Sequence, residues 1–126
     1  MASFYLGVWR SLAAISDEAA ARRYRALSDG KERPEFDAQV YAFYTGMTGL
    51  YPEIDMVAES EMDGCPWACA IDMGGGHVIM AIQPERSERF LPVLLALAEQ
   101  HDLVCFDPQA GKVHLPPYLR ARRAGG

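Results

Sequence analysis

The chain lacks any hydrophobic run that approaches the roughly 20 apolar residues of a membrane-spanning helix. Its start, MASFYLGVWRS, also lacks the basic beginning, long apolar stretch and small-residue cleavage site of a secretory signal. Its 126 residues fit one domain, and a domain of this size buries roughly two-thirds of its unfolded surface without disulfides or a metal. We therefore expect a soluble, cytoplasmic protein with no membrane partner.

Cysteine is scarce, and its three positions, Cys65, Cys69 and Cys105, are a poor disulfide framework because their number is odd. Three residues separate Cys65 from Cys69, whereas redox motifs use two, and closely spaced zinc pairs are usually matched by a second pair. Cys105 lies in an apolar run and is predicted to be a small buried hydrophobe. His77 and Cys105 could complete a zinc site in principle, but we predict no metal and no cofactor.

Basic residues are outnumbered, with 12 Lys and Arg against 17 Asp and Glu and a net charge of −5. This balance argues against general nucleic-acid binding, which requires Lys and Arg to replace counterions. The segment from Glu53 to Asp72 contains no Lys or Arg, and its simplest interpretation is a solvated acidic loop. Three arginines cluster near the C-terminus: Arg120, Arg122 and Arg123. We predict one domain over residues 1–117 and a basic, flexible tail over residues 118–126.

Catalytic signatures are also missing, since the chain contains no GxSxG, HExxH, Walker or dinucleotide-binding motif. The glycine run Gly74-Gly75-Gly76 could suggest a phosphate loop, but such a loop requires a helix directly after the glycines. A β-rich run, His77-Val78-Ile79-Met80, follows instead. A tight hairpin is therefore the predicted structure, because glycine reaches positive φ without a Cβ penalty.

Three segments have helical patterns. Ser16 caps the first, which runs through Leu27 with acidic residues in its first turn. Pro34 is predicted to open the second, which Tyr51-Pro52 ends. Its apolar stripe, at spacings of 4, 3, 4 and 3, comprises Phe36, Val40, Phe43, Met47 and Leu50. Ser87 is predicted to cap the third helix, with Pro92 near its first turn.

Alternation with period two predicts the strands, over residues 3–10, 67–73, 77–83 and 103–106, with a further short strand over 112–115. The element order is β-α-α-β-β-α-β-(β). We therefore expect an α+β fold, in which about three helices pack on one face of a small, mainly antiparallel sheet of four or five strands.

The last apolar strand ends at Asp107-Pro108-Gln109-Ala110-Gly111, which has the composition of a β-turn. The simpler interpretation is a turn between two short strands. The alternative is a pocket in which Asp107 acts as an acid or base, Gln109 contacts a substrate, and His77 or His114 assists. No recognisable motif links the histidines to Asp107.

Three of these features carry a resemblance: the opening strand FYLGVWRS, the Tyr51-Pro52 pair after the second helix, and the closing LVCFDPQ strand followed by a short tail. The chain resembles a group of small bacterial proteins with the same features. Small acidic cytoplasmic proteins of this type resemble immunity proteins, which neutralise a cognate secreted toxin. The resemblance implies no enzyme activity and transfers no catalytic residue.

The leading functional hypothesis is a protein-binding domain, most concretely an immunity protein that occludes a toxin with a basic active-site surface. Four acids and one aromatic residue are the predicted contacts: Asp55, Glu59, Glu61, Asp63 and Trp67. A small enzyme or ligand-binding protein with the Asp107 pocket is the alternative. A homodimeric structural module is the third hypothesis.

Overall fold

The computed structural model describes residues 3–125 and contains one antiparallel sheet of five strands. The strands are β1 (Phe4–Trp9), β2 (Asp72–Met73), β3 (His77–Ile82), β4 (Val104–Asp107) and β5 (Lys112–His114). Their order is β2-β3-β1-β4-β5, so the first strand of the chain lies at the centre. The predicted α+β class and the glycine hairpin are confirmed. The strand predicted over 67–73 shortens to β2 and an isolated bridge from Trp67 to Ile82.

In this described part of the chain, four α-helices accompany the sheet: α1 (Asp17–Ser28), α2 (Ala38–Leu50), α3 (Ser87–Gln100) and α4 (Pro117–Gly125). Short 3₁₀ turns lie at Ile54–Met56, Glu59–Gly64 and Pro84–Arg86. Within residues 3–125, no helix is both long enough and apolar enough to cross a membrane.

Helices α1 and α2 each begin at a residue whose side chain caps the first turn. Ser16 caps α1 as predicted, since its hydroxyl accepts the Ala19 N–H. Asp37, not Pro34, caps α2 by accepting the N–H groups of Gln39 and Val40. The predicted stripe therefore starts too early, and Phe36 lies outside the helix with two-thirds of its surface exposed.

The third helix differs from its prediction in both cap and proline position. Arg86 occupies the N-cap position of α3 and makes no side-chain cap bond, while the Ser87 hydroxyl donates to the Pro84 carbonyl. Pro92 lies inside α3 rather than at its start. The preceding 3₁₀ turn at Pro84–Arg86 leads directly into α3, so the helix begins earlier than its proline suggests.

The helices cover both faces of the sheet, which corrects the expectation of one covered face. Helices α2 and α3 bury Leu6, Val8 and Cys105, together with Trp67. Helices α1 and α4 pack on the opposite face with the following residues: Trp9, Ala20, Leu27, Val104, Phe106 and Leu119. The central strands β1 and β4 carry apolar side chains on both faces, so each face requires its own helical layer.

The predicted basic tail is helical over Pro117–Gly125. Leu119 is fully buried in the α1-side core. The Tyr118 hydroxyl donates to the Ser11 carbonyl, the Arg120 guanidinium to the Leu115 carbonyl, and the Arg122 guanidinium to the Leu12 carbonyl. One apolar residue and three long polar side chains thus attach this segment to the domain, which composition alone did not indicate.

Both edges of the sheet are covered at specific backbone groups. On the β5 edge, the Val113 N–H donates to the Asp17 carboxylate at 2.9 Å. At the other edge, β2 has only two residues, and the segment before β2 lies alongside the rest of β3. There the Ala68 N–H donates to the Ala81 carbonyl, and the Gln83 N–H donates to the Pro66 carbonyl. Such coverage removes sites at which a further strand could pair.

Candidate functional site

Residues Glu53–Gly64, the acidic loop, connect α2 to the segment before β2. The loop contains two 3₁₀ turns, Ile54–Met56 and Glu59–Gly64. All four predicted contact acids are at least partly exposed: Asp55, Glu59, Glu61 and Asp63. The structure therefore places these carboxylates on one continuous surface segment.

Glu53 anchors the start of the acidic loop and is only partly exposed. One carboxylate oxygen accepts the Tyr44 hydroxyl at 2.6 Å, and the other accepts the Ile71 N–H at 3.0 Å. The hydrogen bond to Glu53, followed by burial, raises the pKa of Tyr44 to about 12. One acid of the sequence cluster is thus a structural group that ties the loop to α2 and to the segment before β2.

Arg86 anchors the end of the acidic loop. Its Nη1 donates to the Met62 carbonyl at 2.8 Å and to the Cys65 carbonyl at 2.6 Å. Its Nη2 lies 3.7 Å from the carboxylate of Asp63, whose side chain is fully exposed, so this ion pair adds little stability. Because both ends of the loop are held by side-chain bonds, the acids are presented on an ordered backbone.

Replacing Tyr44 with phenylalanine will lower the free energy of unfolding by about 1 kcal/mol at pH 7, because the bond to Glu53 is lost. The pKa of Tyr44 lies above the ordinary 10.0 in the folded protein, so this contribution is complete below pH 10 and disappears as pH rises towards 12. Urea unfolding at pH 7 and at pH 11 will show a smaller difference between variant and wild type at the higher pH.

The matched control is Tyr41→Phe, because Tyr41 lies half-exposed on the same helix and its hydroxyl makes no hydrogen bond to residues 3–125. We expect no change in stability for this control at either pH. An equal loss in the two variants would contradict the anchoring role of the Tyr44 hydroxyl.

Trp67, the predicted aromatic contact, does not lie on the surface. It is fully buried, and its indole N–H donates to the Tyr51 carbonyl at 3.0 Å. Among the large apolar side chains of the acidic loop, Met56 is the exposed one, with 77% of its surface accessible. Met56 also lines a cleft of about 270 Å³ together with Pro52 and Val57. The sequence offers two methionines within this acidic run, Met56 and Met62, and only the structure shows that Met56 is the more exposed.

Asp107 closes the turn after β4, as its position before Pro108 predicts. Its Oδ1 accepts the backbone N–H of Gln109 at 2.9 Å, the N–H of Ala110 at 3.2 Å and the Gln109 side-chain amide at 2.6 Å. Gln109 also exchanges two hydrogen bonds with the backbone of Tyr5 in β1. Asp-Pro-Gln is therefore a turn fastened to the central strand.

Gln109 contacts Asp107, but His77, another residue of the predicted pocket, lies far from it. His77 pairs with Trp9, whereas Asp107 lies one residue beyond the Gly7–Phe106 pair. Two strand spacings and three residues separate their Cα atoms, a distance of about 14 Å. His77 is fully buried, and its ring lies 3.6 Å from the carboxylate of Asp72.

His114 lies exposed on β5, opposite Cys105 rather than opposite Asp107. Within the part of the chain that the structure describes, neither histidine forms a hydrogen bond or an ion pair with Asp107, whose bonds go to its own turn and to the Gln109 amide. Across residues 3–125, no three His, Cys, Asp or Glu side chains gather in a way that could hold a metal ion.

An Asp107→Ala variant will lose about 2 kcal/mol of unfolding free energy, because two turn N–H groups and the Gln109 amide lose their shared acceptor. Asp107→Asn keeps an oxygen in that position and should lose less than about 1 kcal/mol. Urea unfolding of both variants measures the difference. Equal losses would show that the charge of Asp107, rather than its acceptor oxygen, matters.

Comparison with known proteins gives no match, since no family model, no curated protein and no solved structure matches this chain. The acidic loop is the feature that combines exposed charge with a fixed backbone.

Proposed function

We propose that the chain is a non-catalytic protein-binding domain, and specifically an immunity protein that binds and neutralises a cognate bacterial toxin. The observation that carries the proposal is the acidic loop, whose four surface carboxylates lie between anchors at Glu53 and Arg86. An ordered loop loses less conformational entropy on binding than a flexible one. This supports the loop as the contact surface.

The charge of the loop supports a partner with a basic surface. The sequence from Glu53 to Asp72 contains no Lys or Arg. Among the described residues, Arg86 is the cation that forms an ion pair with an acid of the loop, Asp63. A basic surface, such as the active site of a toxin that acts on nucleic acids or nucleotides, would complement it. Opposite charges accelerate encounter and fix orientation, while Met56 adds an apolar contact.

The alternative of an enzyme with a pocket at Asp107 has less support. Asp107 directs its Oδ1 at the backbone of its own turn. The neighbouring thiol of Cys105 is not activated as a nucleophile. Burial, with a further contribution from Asp107, raises the pKa of Cys105 to about 12, so the thiol is protonated at neutral pH. The homodimeric module stays a prediction, as does the absence of a nucleic-acid partner.

The test is affinity capture of the toxin with three baits at moderate salt. The first is the wild type, and the second carries Asp55→Lys, Glu59→Lys and Glu61→Lys. The third is a matched control with the same change in charge away from the loop, Glu18→Lys, Asp29→Lys and Glu35→Lys, at surface positions. We expect one stoichiometric partner on the first and third baits and a loss of at least about tenfold on the second.

The captured partner must then inhibit growth when expressed alone, and co-expression of the wild-type chain must restore growth. Its affinity should fall as salt increases, because the contact is electrostatic. Equal capture by the loop variant would reject the acidic loop as the contact surface. A partner without toxicity would reject the immunity function while leaving protein binding intact.

A further inference from the structure

A groove of about 550 Å³ opens between α3, the β4–β5 hairpin and the start of α4. It lies away from the acidic loop, because its helical wall is the C-terminal half of α3, whereas Arg86 holds the loop at the other end of that helix. Its apolar lining includes Leu95, Ala98, Leu103, Cys105 and Leu115. The volume falls within the range of sites that enclose small molecules.

Three polar side chains also line the groove: Glu99, His114 and Arg120. Arg120 Nη1 donates to the Leu115 carbonyl at 2.8 Å and to the Glu99 carboxylate at 3.1 Å. Among residues 3–125, the other guanidinium nitrogens of Arg120 and the ring of His114 have no hydrogen-bond partner. The groove therefore combines an apolar wall with a guanidinium that is oriented by its bond to Leu115 and has further N–H groups available for a ligand.

We propose that this groove binds a small molecule with an apolar body and a single carboxylate. The leucines would take the apolar body out of water, and the carboxylate would take the free donors of Arg120. Guanidinium pairs with carboxylates through two parallel hydrogen bonds, and the bond to Leu115 limits the conformational freedom lost on binding. This assignment is independent of the acidic loop and of the proposed toxin.

Glu99 forms an ion pair with Arg120 at the groove. Its ion pair with Arg120 is about half exposed on both sides, so it contributes little stability. For an incoming carboxylate, however, Glu99 is a competing acid at the same guanidinium. Removing the charge of Glu99 should therefore tighten binding, whereas a purely apolar ligand would be unaffected.

The experiment titrates octanoate and its neutral counterpart octanol into the full chain by calorimetry, with circular dichroism as a check on folding. We expect octanoate to bind more tightly than octanol. Arg120→Gln should weaken octanoate about tenfold or more, and Glu99→Gln should tighten it severalfold, with little change for octanol in either variant. No octanoate binding by the wild type would overturn the proposal.

Arg122→Gln is the matched control, because Arg122 lies on the same helix and also donates to one backbone carbonyl, that of Leu12. It should leave octanoate binding unchanged, and equal weakening by Arg120→Gln and Arg122→Gln would reject Arg120 as the carboxylate partner. If Arg120→Gln unfolds the chain, Glu99→Gln still decides the matter. Unchanged or weaker octanoate binding in Glu99→Gln would then overturn the proposal.

Discussion

A Trp67→Ala variant will lose about 3–5 kcal/mol of unfolding free energy, the largest effect that we expect from a single substitution here. Trp67 heads the fully buried side chains by volume and belongs to the core between the sheet and helices α2 and α3. Its removal leaves a cavity and also deprives the Tyr51 carbonyl of the indole N–H. Since a domain of this size is stable by only about 5–15 kcal/mol, the loss removes a large part of the margin.

Trp67→Phe separates the two contributions, because phenylalanine keeps most of the apolar volume and removes the N–H. We expect an intermediate loss for it, and less than about 0.5 kcal/mol for the exposed control Leu12→Ala. Denaturant unfolding followed by circular dichroism measures all three. A loss below about 1 kcal/mol in Trp67→Ala would contradict the burial of this side chain in the core.

A Gly76→Ala variant will lose about 3 kcal/mol, because its added methyl group has no room. The new Cβ would overlap the Glu35 carbonyl oxygen, lie 2.6 Å from Pro34 Cβ and lie 2.9 Å from the Pro34 carbonyl oxygen. These are largely backbone atoms that cannot rotate away. The β2–β3 hairpin would therefore separate from the segment before α2 and disturb the bond from the Asp37 N–H to the Gly75 carbonyl.

Gly49→Ala is the matched control for this substitution. Gly49 lies in α2, and a methyl group added there would have no atom of another side chain or of the neighbouring segments within 4 Å. Alanine at this position should raise the unfolding free energy by about 0.5–1 kcal/mol, because glycine is a poor helix former. Opposite signs for the two variants in the same unfolding assay are the expected result, and a neutral Gly76→Ala would contradict the close packing.

Local signals in the sequence predicted local structure well. The alternation of β1, the Ser16 cap, the glycine hairpin and the Asp107 turn depend on neighbouring residues, and the structure contains all four. The predicted start of α2 is wrong because two residues suit a helix start: Pro34 as a first-turn residue and Asp37 as an N-cap. The structure selects Asp37, whose carboxylate accepts two helix N–H groups.

Contacts between distant residues could not be predicted in this way. The indole of Trp67 bonds to a carbonyl 16 residues away, and burial of Leu119 depends on a core formed by α1 and β4. Exposure of the four acids was predicted from their composition, but the anchoring role of Glu53 was not, since it requires Tyr44 and Ile71 nearby. The charge of a side chain follows from its residue type. Which carboxylates are exposed and which are held by hydrogen bonds depends on the tertiary structure.

The covered edges of the sheet restrict how any partner can recognise this protein. With the Val113 N–H held by Asp17 and β3 met by the Trp67–Ala68 segment, an incoming strand finds these backbone groups already paired. At these positions recognition depends on side chains, such as those of the acidic loop, rather than on strand pairing. Exposed side chains can change without altering the backbone, so the same scaffold could acquire a different specificity through a few surface substitutions.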